Sequence, residues 1–247
     1  MFRKALIVNY IIIAIFFGSC QKEDDPNAPK QGSVTGKLRL ADEFGTLLPD
    51  HGQVILTSNT NQRGSSLESG SFLIYGFDDG TFDITYTKNG FGEYKRFGIP
   101  VTNPGITELI GIDTLGKKST TIISSLSVSP DTQNSTYSFN CTVTPAPDAV
   151  NQRGIRLFFS KNADVSSDNY EYTPGNKWLA DNATGAINNF NSTNLLNNGF
   201  GRGDTVYLVA YGESFYSNIY IDPLSSKKVF PNLNTAHPSN TVQFILP

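Results

Sequence analysis

Asp78-Asp79-Gly80-Thr81-Phe82-Asp83-Ile84-Thr85-Tyr86 reads as a turn running straight into a strand. Phe82, Ile84 and Tyr86 recur at every second position, so they share one face of an extended chain. Asp-Asp-Gly before them is turn chemistry, because Asp bonds its own backbone and Gly accepts φ > 0. The same unit repeats on both sides. Val34-Thr-Gly-Lys-Leu-Arg-Leu40 alternates and is followed by the turn Asp42-Glu-Phe-Gly45. Gln53–Thr57 and Gly70–Ile74 are further strands, and Tyr94–Val101 and Thr107–Ile112 follow after Gly90. Beyond the N-terminal leader, no segment sustains a 3.6-residue apolar period, so the spacing predicts an all-β chain with turn-rich connections. Short strands with such turns between them make a β-sandwich over residues 32–116.

Downstream, residues 117–121 (Lys-Lys-Ser-Thr-Thr) form a polar connector. Residues 120–247 carry strand candidates at Ile122–Val128, Thr136–Val143, Gly154–Ser160, Thr205–Tyr211 and Thr241–Leu246. Arg156–Phe159 and Val206–Ala210 are the most apolar and should be central. Ala163–Arg202 is rich in Asn, Asp, Ser and Gly and predicts weaker strands and long loops. The insert around Pro223–Asn234 exceeds a usual hairpin loop. The expected architecture is two tandem β-sandwiches.

The N-terminus is built differently. Arg3 and Lys4 precede the apolar run Ala5–Phe17, which ends at Gly18-Ser19-Cys20. As a helix this run would rise only about 20 Å, short of the ~30 Å hydrocarbon core, so it fits a signal-peptide core better than a stable span. Small residues at 18 and 19 admit a peptidase, and Cys20 offers a thiol for lipid. This segment resembles the lipobox of bacterial lipoproteins, with Phe17 where Leu is usual. The resemblance implies a signal peptide over 1–19, lipidation of Cys20 and a tether over 20–31. Gln21, Lys22, Glu23, Asp24 and Asp25 resemble the export signal of Bacteroidota surface lipoproteins, which implies the outer membrane and its cell-surface leaflet. Read as physics alone, the cluster is a charged, solvated linker.

Two further resemblances concern the modules. Gly32-Ser33-Val34, Gly45, Val54-Ile55-Leu56, Gly70-Ser71-Phe72, Gly80-Thr81-Phe82 and Gly90-Phe91 follow one another in an order that resembles the carboxypeptidase regulatory-like domain, a transthyretin-like sandwich. Leu67-Glu68-Ser69 stands where that family has Thr-Asp, and Phe replaces Tyr at 82 and 91. The resemblance implies an accessory module, sometimes grouped with carbohydrate-binding-like folds; it does not imply peptidase activity. Residues 120–247 are similar to fibronectin type III or immunoglobulin-like sandwiches, through Val206–Tyr211 and the closing strand from Ser239 to Val242.

Charge and residue type narrow the chemistry. The formal charge of −3 becomes −5 once Arg3 and Lys4 leave with the signal peptide, and no basic block could neutralise a row of phosphates. His51 and His237 are the only histidines and lack neighbours at metal-ligand spacing. There is no Gly-x-Ser-x-Gly elbow and no phosphate-binding Gly-rich turn. With Cys20 lipidated, Cys141 is the remaining cysteine, and its place beside Phe139 and Val143 on one strand face predicts a core thiol. The sequence therefore implies no enzyme, cofactor, metal or nucleic-acid partner.

What it does offer for binding is aromatic. Tyr170, Tyr172 and Trp178 cluster in a polar loop region and are the candidate ligand contacts; Phe215, Tyr216 and Tyr220 form a second such group. At loop tips they would stack on sugar rings or anchor a protein, and in the core they would fill the sandwich. Arg202-Gly203-Asp204 spells the integrin-binding tripeptide, which is also ordinary turn chemistry before a strand. Asp113-Thr114-Leu115 and Asp204-Thr205-Val206 resemble the acceptor of Bacteroidota O-glycosylation, making Thr114 and Thr205 candidate modified residues. The expected function is a non-catalytic, membrane-anchored lipoprotein that binds or presents a glycan or protein. The competing expectation is a periplasm-facing structural spacer.

Overall fold

A computed structural model describes residues 31–131, 133–180 and 184–247. Cys20, the cluster Gln21, Lys22, Glu23, Asp24 and Asp25, and the 1–19 segment lie outside the described residues.

The first sandwich holds seven strands: β1 (Gly32–Ala41), β2 (Ile55–Ser58), β3 (Arg63–Ser65), β4 (Ser71–Phe77), β5 (Gly80–Thr87), β6 (Tyr94–Val101) and β7 (Ile106–Gly116). They form two sheets, ordered β4-β1-β7 and β3-β2-β5-β6. β1 and β7 run parallel, and every other pair is antiparallel. Alternation decides which side faces in. Val34, Leu38 and Leu40 of β1, Phe72 and Ile74 of β4, and Phe82, Ile84 and Tyr86 of β5 meet between the sheets. Each such side chain contributes roughly 1.5–3 kcal/mol relative to exposure. In β7 the register jumps from Thr35↔Glu108 to Lys37↔Ile112, so three residues bulge opposite Gly36. Gly111 takes φ +90° there, a conformation that costs glycine nothing.

The second sandwich comprises β8 (Ile122–Asp131), β9 (Thr136–Thr144), β10 (Arg153–Ser160), β11 (Lys177–Leu179), β12 (Thr184–Asn191), the single-turn helix α1 (Thr193–Leu196), β13 (Thr205–Glu213), β14 (Tyr220–Ile221), β15 (Lys228–Val229) and β16 (Val242–Ile245). Its sheets are β11-β10-β13-β16 and β12-β9-β8, with β14 and β15 paired as a separate ribbon. The two apolar runs are indeed central: β10 and β13 are neighbours in the middle of the four-stranded sheet. They are apolar without alternation because both faces are covered. Ile155, Leu157, Phe159, Val206, Leu208 and Ala210 point into the main core. Phe158, Val209 and Tyr211 point outward under a smaller core closed by Val165, Phe230 and Leu233, which come from the long loops.

The connector between the sandwiches is hydrogen-bonded from both sides. On one side, Lys117 N–H donates to Ala41 O and Lys118 N–H to Gly90 O, both at 2.9 Å. On the other, the Asn232 amide donates to Gly116 O and Lys117 O, the Ser214 hydroxyl to Lys117 O, and the Asn234 amide to Thr121 O. Glu43 accepts from Thr120 N–H at 2.7 Å, from the Thr120 hydroxyl at 2.6 Å and from Arg153 Nη1 at 3.2 Å. The 214–241 return is therefore the strap that fastens one sandwich to the other.

Candidate ligand-binding cleft

The joint produces a cleft. Trp178 lies on β11 opposite Gly154 of β10. A Cβ at 154 would sit 2.9 Å from the indole, so the glycine lets the ring lie across its neighbour. The Phe215 ring stands 5.8 Å from that of Trp178, tilted by 43°, and meets Tyr216 edge-on at 5.1 Å. Phe215 is held by its own backbone, whose N–H donates to Glu43 O at 2.9 Å. Its ring covers Gly45, where a Cβ would come within 2.7 Å of a ring carbon. Phe44 completes the wall, with the Arg153 guanidinium 4.9 Å above its ring.

Phe44, Val150, Gln152, Trp178 and Phe215 enclose about 260 Å³. Phe215 is 53 % exposed and Val150 84 %. This volume falls just below the ~300–1,000 Å³ of drug-sized pockets, so the cleft suits one ring or one side chain. Two tilted aromatic faces offer stacking, and the Gln152 amide offers one acceptor and two donors. Among the described residues no group of three or more His, Cys, Asp or Glu is placed to hold a metal ion.

The structure separates the three aromatics singled out above. Trp178 lines the cleft. Tyr170 packs edge-on against Phe158 at 5.2 Å and donates its hydroxyl to Lys228 O at 3.0 Å, closing the smaller core. Tyr172 leans on Phe159 at 5.9 Å. Burial raises both phenols above their ordinary pKa. Thr114 is half-buried, and its hydroxyl accepts from Arg39 Nε at 2.8 Å. Thr205, also half-buried, opens β13. Asp204 caps its own turn by accepting Gly201 N–H at 2.7 Å, while Arg202 donates to Pro247 O at 2.7 Å. His51 Nδ1 accepts Leu40 N–H at 3.1 Å, so it serves the β1 turn. Cys141 is buried in the main core, as its strand face predicts.

Sequence reasoning missed two things. Phe44 reads locally as one residue of a turn, and nothing in its neighbourhood signals that Phe215 lies near it. The second is a buried carboxylate: Asp113 accepts from Tyr86 Oη at 2.9 Å, Tyr94 Oη at 3.0 Å, and Arg96 Nε and Nη2 at 3.0 and 2.8 Å. A signal existed, because Asp113 shares its parity along the strand with Leu109 and Leu115, both inward. Four donors converge on this one buried side chain, which ties β5, β6 and β7 together.

No family model and no curated protein matches the chain. Among solved structures, a proposed carbohydrate-binding protein from Bacteroides uniformis ATCC 8492 is similar at 12 % identity and a TM-score of 0.33, over 88 % of this chain and 100 % of that one. A DUF3823 family protein from Bacteroides ovatus ATCC 8483 gives 12 % identity and a TM-score of 0.31 over the same shares. The full-length major pilin SpaD from Corynebacterium diphtheriae gives 12 % and 0.28, over 87 % of this chain and 66 % of that one.

Proposed function

We propose that this chain is a non-catalytic lipoprotein that binds a glycan through the Trp178–Phe215 cleft. One observation carries the reading: Phe215 is fixed by a backbone hydrogen bond and by Gly45, yet half of its surface stays in water beside Trp178. A large apolar ring held exposed costs stability, and a ligand that stacks on it offsets the cost. The Arg3-Lys4, apolar and Gly-Ser-Cys20 succession supports lipid attachment, and Lys22 to Asp25 support export to the outer-membrane surface. The Gly-punctuated order from Gly32 to Phe91 supports a carboxypeptidase regulatory-like module over 32–116, and the Val206–Tyr211 strand a fibronectin III or immunoglobulin-like module over 120–247.

The test is a glycan array with the full-length protein in detergent, followed by Trp178→Ala and Phe215→Ala. Each should weaken binding by about 5- to 150-fold, the ~1–3 kcal/mol of a stacked ring by analogy with base stacking, at an unchanged melting temperature. Unfolding of both variants would make the rings core and remove the site. The spacer reading has its own support in the connector, which is bonded on both sides and stiffens the joint. Protease treatment of unbroken cells separates the two: digestion supports surface display, and protection until the outer membrane is opened supports the spacer.

A further inference from the structure

A second groove lies on the other side of the first sandwich's four-stranded sheet, away from its core. Its floor is a set of outward side chains in cross-strand register. Thr57 of β2 pairs with Thr85 of β5, and Thr85 pairs with Lys95 of β6. One step along stand Asn59, Asp83 and Phe97, and the far wall is Asp222-Pro223-Leu224 from the β14–β15 ribbon. These residues enclose about 440 Å³, within the range of ligand pockets.

The polar groups are held in place before any ligand arrives. Asp83 Oδ1 accepts Gly98 N–H at 2.9 Å, which leaves Oδ2 for a ligand. Asn59 Oδ1 accepts Asp83 N–H, which fixes the amide and leaves its NH₂ as a donor. Lys95 is positioned by Glu93 at 3.1 Å and by the Tyr220 ring at 4.9 Å. Phe97 rests on the same Tyr220 ring at 6.0 Å and remains 40 % exposed; Leu224 opposite is 96 % exposed.

Chemistry selects the ligand. Lys95 is already balanced by Glu93, and Asp83 and Asp222 both line the groove, so an anion would be repelled. The groove lies on the face of the sheet over β2 and β5, whose backbones are paired on both sides, so an extended peptide lying across them gains no strand pairing. What remains is a ligand read by side chains alone, with hydroxyls for carboxylate, amide and threonine groups and an apolar face for Phe97. We infer that this groove, formed by Asn59, Asp83, Thr85 and Phe97 under the β14–β15 ribbon, is a second binding site, specific for uncharged saccharides. It does not depend on the Trp178 cleft.

Calorimetric titration of the full-length protein in detergent, with hexasaccharides of glucose, mannose and xylose and with a hexamer of galacturonic acid, tests it. A neutral hexasaccharide should bind at two sites, and Phe97→Ala and Trp178→Ala should each leave one. Asp83→Asn, a surface change that preserves the fold, should weaken the groove site at least fivefold. The galacturonate hexamer should bind the groove at least tenfold more weakly. Binding that is unchanged in both Phe97→Ala and Asp83→Asn, or tighter for galacturonate, overturns the groove. If Trp178→Ala alone abolishes binding, the groove falls and the cleft stands. If Phe97→Ala and Asp83→Asn alone abolish it, the cleft falls and the groove stands. No binding of any hexasaccharide overturns the groove whatever becomes of the cleft.

Discussion

Each sandwich buries one carboxylate against one arginine, and the two pairs are built to different standards. In the first, Asp113 is buried while Arg96 keeps about a quarter of its side-chain surface in water. Two tyrosines and the Nε and Nη2 of the guanidinium all donate to the carboxylate. In the second, Arg156 and Glu213 are both buried, joined by one bond of 2.8 Å. Arg156 is well served, since it also donates to Pro174 O and lies 4.5 Å over the Phe230 ring. Glu213 is not: its Oε1 has no partner among the described residues. The deeper pair is thus the less satisfied one. Resistance to change should follow the number of bonds lost, and response to pH should follow the orphaned oxygen.

The sharpest way to break the comparison is at Asp113. Asp113→Ala strands a guanidinium and two phenols at once, and should cost about 3–5 kcal/mol, the penalty for removing one partner of a buried pair. Urea unfolding followed by circular dichroism reads this directly; a loss below about 1 kcal/mol would mean that water replaces the carboxylate.

Glu213→Gln is a milder change, because the amide still offers Arg156 an oxygen. Its expected cost is about 1–3 kcal/mol at neutral pH. The pH dependence has a definite sign. Burial, opposed by Arg156, lifts Glu213 above a glutamate's ordinary 4.5. A raised acid favours folding when protonated, so its contribution is present below 4.5 and is lost as pH rises from there through the folded value. The stability gap between wild type and Glu213→Gln should therefore narrow as pH climbs from 4. A gap that widens would place the folded pKa below the ordinary one.

These two sites also mark how far the sequence could be read. The long strands were legible because alternation against a core is a local pattern: Phe82, Ile84 and Tyr86 predict β5 by themselves. β3, β11, β14 and β15 have two or three residues each, too few for any period to show. β12 was hidden in an Asn-rich stretch because β9, not its own composition, holds it in the sheet. The cleft was legible by two of its residues, Trp178 and Phe215, which the sequence sets in two separate aromatic groups. Phe44, Gln152 and Phe215 come from separate segments, and the bond between Phe215 N–H and Glu43 O that joins two of them is tertiary. Asp113 reads in the sequence as part of a glycosylation acceptor, although its parity with Leu109 and Leu115 turns it inward.

The smallest effect belongs to a site with no charge partner at all. Cys141 is buried among Phe139, Val143 and their neighbours, and its Sγ lies 3.7 Å from Gly185 O. Burial pushes the thiol up to about 11 from 9.0. A folded thiol that stays protonated while the unfolded one ionises favours unfolding as pH rises, so stability should fall between pH 9 and about 11. At pH 10 the loss from this group is on the order of 1 kcal/mol, and near pH 7 it vanishes. Cys141→Ala should remove that part of the alkaline decline while leaving the part due to the tyrosines, which both proteins share. Iodoacetamide at pH 8 offers a second check. The reagent needs a thiolate and a path to it, so labelling of Cys141 should follow unfolding of the second sandwich. Fast labelling of the folded protein would mean that the sheet opens locally at β9 and β12, and the alkaline slope would then be shallower than the buried thiol requires.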